Sequence, residues 1–296
     1  MSKIELKQLL KTIFSTKELN YLSCKTLNIK LDLKKIEDLD IFLEECKNNQ
    51  KKKIAGPRRI NDWEKGWSGK GIYYSKDKYN NTPYYFKNNT HVRLGHKIYK
   101  DNKGFAELEL LRALQIIIFK KFLNNFNSKV ICEYGCGTGS NIKFIKSNFK
   151  DLVFFGSDWA KSACDNLIKK KILKKNYVFK VNYFDPSTYN SPNEIFLAFT
   201  NASLEQTGDK YKRFISYLIE KSNCLGGIHI EPIQELLDLR FKINKQSYDY
   251  ASSRGYLKDF YKFMISNSKV KILEAKNFGI GSKYINGYQV LCWKKK

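Results

Sequence analysis

A glycine-rich turn that follows a short apolar run is the feature that most constrains the fold of this chain. Residues 130–132 are apolar, as in a buried strand, and the run ends at Glu133. Three glycines follow at alternate positions, Gly135, Gly137 and Gly139, and apolar residues then recur at helical spacing. Strand, glycine turn and helix predict the first unit of a nucleotide-binding α/β fold, because a tight turn that approaches a ligand leaves no room for a Cβ atom.

The spacing of the glycines separates this turn from a dinucleotide fingerprint, which has the form G-x-G-x-x-G. The form here is G-x-G-x-G, with an acid two residues before the first glycine. It resembles the first motif of class I S-adenosylmethionine-dependent methyltransferases. The resemblance implies that the loop, including Cys136, passes under the methionine and ribose parts of the cofactor, and that Glu133 lies near the methionine amino group. Taken alone, the stretch leaves a glycine-rich surface turn open as the alternative.

A second acid, Asp158, lies at the position where methyltransferases of this class carry one. Residues 152–155 are apolar and predict another buried strand, and Asp158 lies just past its end, 19 residues after Gly139. A carboxylate at this place can accept hydrogen bonds from both hydroxyls of a ribose. Trp159 follows directly and could flank the adenine. The pair resembles the second methyltransferase motif.

The third predicted strand covers residues 177–181 and exits through Asn182 and Tyr183. In the methyltransferase family an Asp commonly stands at the position that matches Asn182 and accepts from the adenine amino group, while the next backbone N–H meets a ring nitrogen. Asn182 keeps an accepting amide oxygen but has no charge. Asp185 is therefore a rival for the adenine contact.

The fourth predicted strand ends at Thr200 and runs into Asn201. Ligands of α/β sheets lie at the carboxyl ends of the strands. We therefore expect this turn to face the methyl group that is transferred, with Thr200 near the cofactor and Asn201 near the acceptor.

The fifth predicted strand carries the candidate acid/base residues. Its period-two alternation places His229 and Glu231 on the same face. Since a hydroxyl is a weak nucleophile near neutral pH, we expect His229 to act as the base and Glu231 to orient it or to bind acceptor hydroxyls. Glu205, after the fourth strand, is the rival base. The alternative is that His229 is packed in the core and that Glu231 caps a helix.

The remaining pattern defines the predicted fold class. Residues 270–273 and 287–293 predict two strands of a hairpin, which class I methyltransferases have at the end of their sheet. We predict an α/β, doubly wound Rossmann-like fold with a seven-stranded sheet, mostly parallel with an antiparallel C-terminal hairpin strand. The S-adenosylmethionine-binding domain is predicted over residues 105–296.

Residues 1–104 are predicted to form an N-terminal helical and loop-rich extension. Apolar residues recur at helical spacing in residues 1–50, whereas residues 57–103 mix many aromatic side chains with Gly, Asn and Lys without clean periodicity. The second part is interpreted as a cap that contacts the acceptor, with Tyr85 and Arg93 as candidate contacts. Packing of the aromatic residues against the core is the alternative reading.

Composition bounds the environment and the partners. The formal net charge is +25, but lysine supplies most of the 54 basic residues, so a solvated lysine surface is favoured over a nucleic-acid partner, which stays an alternative. Seven scattered cysteines without a C-x-x-C pair predict no metal site and no disulfide framework and fit a reducing cytoplasm. We expect no membrane span and no signal peptide.

These features together predict an S-adenosylmethionine-dependent methyltransferase that O-methylates a sugar, a glycan or another small hydroxylated acceptor. RNA or protein methylation is the first alternative, and a non-catalytic cofactor-binding module is the second. Four short stretches are also similar to those of a bacterial group of sugar O-methyltransferases. They are Glu133-x-Gly-Cys-Gly-Thr-Gly, Gly156-x-Asp-Trp, Ser203-Leu-Glu-Gln206 and His229-Ile-Glu-Pro232.

Overall fold

The computed structural model describes residues 3–49, 53–68, 81–83, 85–86 and 90–296. The helices of these ranges, numbered in chain order, are α1 (Leu6–Leu10), α2 (Thr16–Leu19), α3 (Cys24–Leu27), α4 (Leu39–Asn48), α5 (Ile60–Trp67), α6 (Ala106–Phe122), α7 (Ser140–Asn148), α8 (Lys161–Lys169), α9 (Tyr211–Glu220), α10 (Lys242–Ser253) and α11 (Phe260–Ser266). The strands are β1 (Lys3–Glu5), β2 (Lys30–Lys35), β3 (His91–Leu94), β4 (Lys97–Asp101), β5 (Val130–Tyr134), β6 (Val153–Asp158), β7 (Val178–Lys180), β8 (Phe196–Asn201), β9 (Cys224–Glu231), β10 (Val270–Asn277), β11 (Ile280–Ser282) and β12 (Gln289–Lys295).

The main sheet has seven strands in the order β10-β12-β9-β8-β5-β6-β7. Strands β5 to β9 pair in parallel, whereas β12 runs antiparallel between β9 and β10. This arrangement confirms the predicted Rossmann-like fold and its antiparallel hairpin strand. The carboxyl ends of β5, β6 and β8 therefore lie side by side, which is where such sheets bind ligands.

Two hydrophobic cores cover the two faces of this sheet. In β5, Ile131 packs in the core that includes α6 and α7, while Cys132 packs in the core that includes α9 and α11. The same alternation places Leu197 and Ala198 of β8 in different cores. Because both faces are covered, the central strands are apolar at nearly every position, which is why they stand out as short apolar runs in the sequence.

A second, five-stranded sheet has the order β1-β2-β4-β3-β11. In addition to the predicted helices, the N-terminal residues therefore contribute four strands that the sequence analysis did not predict. The last strand comes from the C-terminal part of the chain, with Ile280 paired to Leu94. Leu6 and Leu10 pack in the same core as α6. These contacts attach the N-terminal residues to the main sheet, and a domain boundary after residue 104 stays a prediction.

Within the ranges that the structure describes, no helix combines the length and the apolar character needed to cross a bilayer.

The close pairing of β9 with β12 gives a test of this packing. A Cβ atom at Gly226 would lie 2.2 Å from the backbone oxygen of Trp293, which is held in a paired strand and cannot move aside without distorting the sheet. We expect Gly226→Ala to lower the free energy of unfolding by about 1–3 kcal/mol, the usual cost of overpacking, as measured by urea denaturation.

Gly66 in α5 is the matched control, because nothing lies within 4 Å of the position that its Cβ would take. Alanine favours a helix more than glycine does, so Gly66→Ala should leave stability unchanged or raise it. Equal losses in the two variants would contradict the account of β9 and β12.

Candidate active site

Two adjoining cavities open at the carboxyl ends of the central strands. Counted with the open solvent at their mouths, the space in the first is about 480 Å³ and the space in the second about 1050 Å³. Both are lined by Trp63, Trp67, Gly135 and Ala202, so they meet at these four residues and form one continuous cleft.

The glycine loop forms the floor where the cavities meet. Gly135 has a φ of 77°, and a Cβ atom there would lie 2.3 Å from the Cβ of Ser203. The backbone N–H groups of Gly135 and Cys136 both donate to the carbonyl oxygen of Ser157, at 2.8 and 2.9 Å. Gly135, Cys136 and Gly137 line the second cavity. Gly139 differs. It directly precedes α7, and a Cβ atom there would lie 2.4 Å from the side chain of Leu167.

Glu133 is fully buried directly before this loop. Its Oε1 accepts a hydrogen bond of 2.8 Å from the side-chain amide of Asn141, a residue that lines the second cavity. Its Oε2 is buried and has no hydrogen-bond partner among the residues of the structure. Burial raises the pKa of Glu133 to about 8. A buried carboxylate oxygen without a donor is costly, so this site fits a ligand that brings a cationic or N–H donor.

Asp158 lies at the end of β6 and lines the first cavity. Its two oxygens accept from the backbone N–H groups of Gly137 and Ala160, each at 2.9 Å. Burial raises its pKa to about 6, against the lowering effect of these backbone donors. Each carboxylate oxygen retains a second lone pair for a ligand hydroxyl.

The first cavity has aromatic walls. Besides the two shared tryptophans, Trp159, Tyr183 and Phe184 line it, and the rings of Trp159 and Phe184 have centroids 5.6 Å apart. Such walls suit a flat heterocycle with polar edges.

Asn182 and Asp185, the two residues considered for an adenine contact, line neither cavity. The Oδ1 of Asn182 accepts from the backbone N–H of Phe184 at 3.0 Å, and the Oδ1 of Asp185 accepts from that of Ser187 at 3.0 Å. Both side chains therefore stabilise the turn after β7, which places Tyr183 and Phe184 in the cavity wall.

Glu231 is fully buried and holds the turn after β8. It accepts hydrogen bonds from the backbone N–H groups of Ser203, Leu204 and Glu205, at 3.0 to 3.2 Å. Burial raises its pKa to about 7, while these three donors favour the charged form. The structure thus gives Glu231 the position of a cap, which is the alternative that the sequence left open.

His229 is fully buried between neighbouring strands. Its Nε2 accepts from the indole N–H of Trp293 at 2.9 Å, and its Nδ1 lies 2.9 Å from the hydroxyl of Thr200. Burial lowers its pKa to about 3, so the ring is neutral. Neither His229 nor Thr200 lines a cavity. Both ring nitrogens are engaged within the protein, and the expected contact of Thr200 with the cofactor has no counterpart in the cavity walls.

Glu205 does reach the cleft, where it lines the second cavity. Its Oε1 accepts from the side-chain amide of Gln206 at 2.8 Å. Burial, together with the nearby charge of Glu231, raises its pKa to about 8. The tyrosines Tyr250, Tyr256 and Tyr288 line the same cavity. Glu205 is the residue among the three acid/base candidates that a bound acceptor could touch.

Of the three residues predicted to contact the acceptor, two line the second cavity and one does not. Tyr85 and Asn201 line the second cavity, and Asn201 also accepts from Gln115 at 3.2 Å. Arg93 lines neither cavity. It is 1% exposed, and its guanidinium donates to Gly95, Ile243, Ser247 and Asn244. Arg93 is thus placed to tie β3 to α10, because its donors already have partners within the protein.

The sequence analysis did not single out Trp63 and Trp67, which lie on α5, far from the glycine loop along the chain. Their rings stack with centroids 5.6 Å apart. The i, i+4 spacing that puts both on one helix face was the available signal, but it was hidden by the many aromatic residues that follow.

No group of His, Cys, Asp and Glu side chains suited to a metal ion occurs in the part of the chain that the structure describes.

Comparison with known proteins gives a result at the level of structure and none at the level of sequence. No protein-family model matches the chain, and no curated protein matches it. Among solved structures, a SAM-dependent methyltransferase from Anabaena variabilis matches with a TM-score of 0.52 and 11% identity, over 83% of this chain and 99% of that chain.

Two further matches are more remote. The magnesium protoporphyrin IX methyltransferase of Synechocystis, crystallised with SAH, has a TM-score of 0.44 and 15% identity, over 64% of this chain and 85% of that chain. Human N-acetylserotonin methyltransferase, in complex with SAM, has a TM-score of 0.40 and 14% identity, over 64% and 56% of the two chains. The likeness to the Anabaena protein shows that this chain has the fold of a SAM-dependent methyltransferase.

Proposed function

We propose that the protein is an S-adenosylmethionine-dependent methyltransferase. The observation that carries the proposal is a pair of buried acids, Asp158 in the wall of the first cavity and Glu133 behind Asn141, which lines the second. Glu133 has an oxygen without a partner before the glycine loop, and Asp158 lines the aromatic cavity beyond it. A cofactor with an amino group at one end and a nucleoside at the other matches this order of hydrogen-bond acceptors and aromatic walls.

Each part of such a cofactor has a matching group of residues in or beside the cleft. Asp158 would accept from ribose hydroxyls, and Trp159, Tyr183 and Phe184 would enclose the adenine. Glu133 would accept from the methionine amino group. When bound, the cofactor supplies a methyl group already activated on a sulfonium, so the protein must hold the acceptor in line and remove one proton.

The second cavity is the proposed acceptor site. It is larger than the first, and its wall combines tyrosine rings with Glu107, Glu205, Asn141 and Asn201. Ring faces with hydroxyl, amide and carboxylate groups at their edges suit a hydroxylated small molecule, because each hydroxyl can both donate and accept. O-methylation of a sugar, a glycan or a similar acceptor is therefore the reaction that the cavity supports best.

Methylation of RNA or of a protein side chain is the second candidate reaction. The net charge of +25 favours it in part, because a basic surface attracts polyanions. The sequence contains no recognisable RNA-binding module, which counts against it. A module that only senses the cofactor would not need an acid such as Glu205 in a second cavity.

We assign the base to Glu205. Its carboxyl group borders the acceptor cavity, whereas the carboxylate of Glu231 accepts three backbone N–H groups and both ring nitrogens of His229 have partners. A raised pKa makes a carboxylate a stronger base once it is ionised, which suits removal of a proton from a hydroxyl. The sulfonium is a cation and would favour the ionised form of Glu205.

The first prediction concerns cofactor binding. Isothermal calorimetry should show binding of S-adenosylmethionine, and Asp158→Asn should weaken it by about tenfold, since a charged acceptor for ribose hydroxyls is lost. Asp185→Asn is the matched control, because this acid lies near the site but caps the Ser187 turn. Tighter binding of NAD than of S-adenosylmethionine would contradict the assignment.

The second prediction concerns the acceptor class. A cell extract separated into small glycans, RNA and protein should support formation of demethylated cofactor chiefly in the small-glycan fraction, as measured by mass spectrometry. The wall of the second cavity is the physical reason, since its tyrosine rings with carboxylate and amide groups at their edges suit a small hydroxylated molecule. Turnover confined to the RNA or protein fraction would favour the second candidate reaction.

The third prediction concerns the base. The rate should rise with pH through a value at or below about 8, because Glu205 accepts a proton only when it is ionised. Glu205→Gln should lower kcat by roughly 10²–10⁴-fold and remove this rise, with little change in cofactor affinity. Asp209→Asn is the control, an exposed acid four residues further along the chain.

A different set of results would identify His229, rather than Glu205, as the base. A rate that is lost in His229→Asn, while Glu205→Gln keeps both its rate and its pH dependence, would return the base to His229. With Glu205 as the base, His229→Asn should instead lower the free energy of unfolding by about 1–3 kcal/mol, because the indole N–H of Trp293 loses its acceptor.

A further inference from the structure

The helix α5 places two indole rings at the junction of the two cavities. Trp63 and Trp67 line both cavities, and an added Cβ at Gly137 would lie 3.1 Å from the Cζ2 atom of Trp67. The Trp67 ring therefore stands over the glycine loop. The indole Nε1 of Trp63 is buried and finds no hydrogen-bond partner among the described residues.

Hydrogen bonds fix α5 in this place from the side of the first cavity. The backbone N–H of Ser162 donates to a carboxylate oxygen of Glu64 at 3.0 Å, and the Ser162 hydroxyl donates to the Glu64 carbonyl oxygen at 3.0 Å. The side-chain amide of Asn166 donates to the carbonyl oxygen of Trp67 at 2.6 Å. Ser162 and Asn166 both belong to α8.

A second set of contacts joins the start of α5 to the turn after β8, through Gln206 in the wall of the first cavity. The guanidinium of Arg59 donates to Gln206 at 3.2 Å, and its carbon lies 5.0 Å from the ring centroid of Trp63. Gln206 in turn donates to Glu205. The helix that carries the two tryptophans is thus bound both to α8 and to the turn after β8.

The covalent order of the cofactor determines which of its atoms lies at this junction. The sulfur joins the adenosine, proposed for the first cavity, to the methionine, whose amino group is proposed for Glu133 beside the second cavity. In this arrangement the sulfonium would lie where the cavities meet, beside the four residues that line both, Trp63, Trp67, Gly135 and Ala202.

Resting on the proposed function, we infer that Trp67, held in place by its stacking on Trp63, binds the sulfonium cation through its ring and so favours the methylated cofactor over its demethylated product. A cation near an indole face is attracted by the negative charge of the ring, and tryptophan is the strongest side chain for this contact. The product is a neutral thioether, so transfer of the methyl group removes the attraction. The N-terminal extension thereby takes part in cofactor selection as well as in capping the site.

The test compares the affinities of three ligands by calorimetry. They are S-adenosylmethionine, its demethylated product, and a nitrogen analogue in which a protonated amine replaces the sulfonium. Trp67→Leu should weaken binding of the two charged ligands by about five- to thirtyfold and that of the neutral product by less than about threefold. Trp63→Leu should act in the same direction, and Trp67→Phe should retain most of the preference.

Trp159→Leu is the matched control. Trp159 lines the first cavity alone, so its loss should weaken binding of all three ligands by the same factor and leave their ratio unchanged. Glu64→Ala removes the hydrogen bond from Ser162 that holds α5, so it should change the ratio of the affinities for cofactor and product in the same direction as Trp67→Leu. Thermal unfolding of each variant verifies that the protein is folded.

The outcomes separate the inference from the function on which it rests. An unchanged ratio of affinities in both tryptophan variants, with the wild-type protein binding the cofactor, overturns the inference and leaves the proposed function intact. A wild-type protein that binds neither the cofactor nor its product overturns both. The inference is supported if Trp67→Leu lowers the ratio of the affinity for S-adenosylmethionine to the affinity for its demethylated product, while Trp159→Leu leaves this ratio unchanged.

Discussion

The carboxylate of Glu231 determines the geometry on which the cleft depends. A buried carboxylate is stable only when its oxygens are satisfied, and three consecutive backbone N–H groups of the turn after β8 satisfy these. The turn is thereby drawn against the end of β9. Ser203 then lies against Gly135, and Glu205 lies in the wall of the second cavity.

The same cleft is closed from a distant part of the chain. Helix α5 lies outside both sheets, yet its residues Trp63 and Trp67 line both cavities. Side chains of α8 and the turn after β8 hold it through hydrogen bonds. The walls of the two cavities are therefore coupled physically, because one helix lines both and Arg59 at its start is linked through Gln206 to Glu205 in the second cavity.

Much of the fold could be predicted from the sequence because it depends on local patterns. Central strands covered on both faces are apolar throughout, so β5, β6 and β8 appear as short runs. The glycine loop was predictable because Gly135 needs a positive φ and lies against Ser203. The strands of the second sheet were missed, since β11 pairs with β3 across most of the chain and no local period encodes that pairing.

The sequence by itself determined the order along the chain of the strands of the main sheet, the glycine loop, and the acids Glu133 and Asp158 near it, because each follows from spacing along one segment. Only the tertiary structure decided which side chains reach the cleft. His229 and Glu205 both stand near strand ends, yet partners from β8 and β12 enclose the first while the turn exposes the second. Contacts between remote segments make that distinction, and spacing along the chain does not record them.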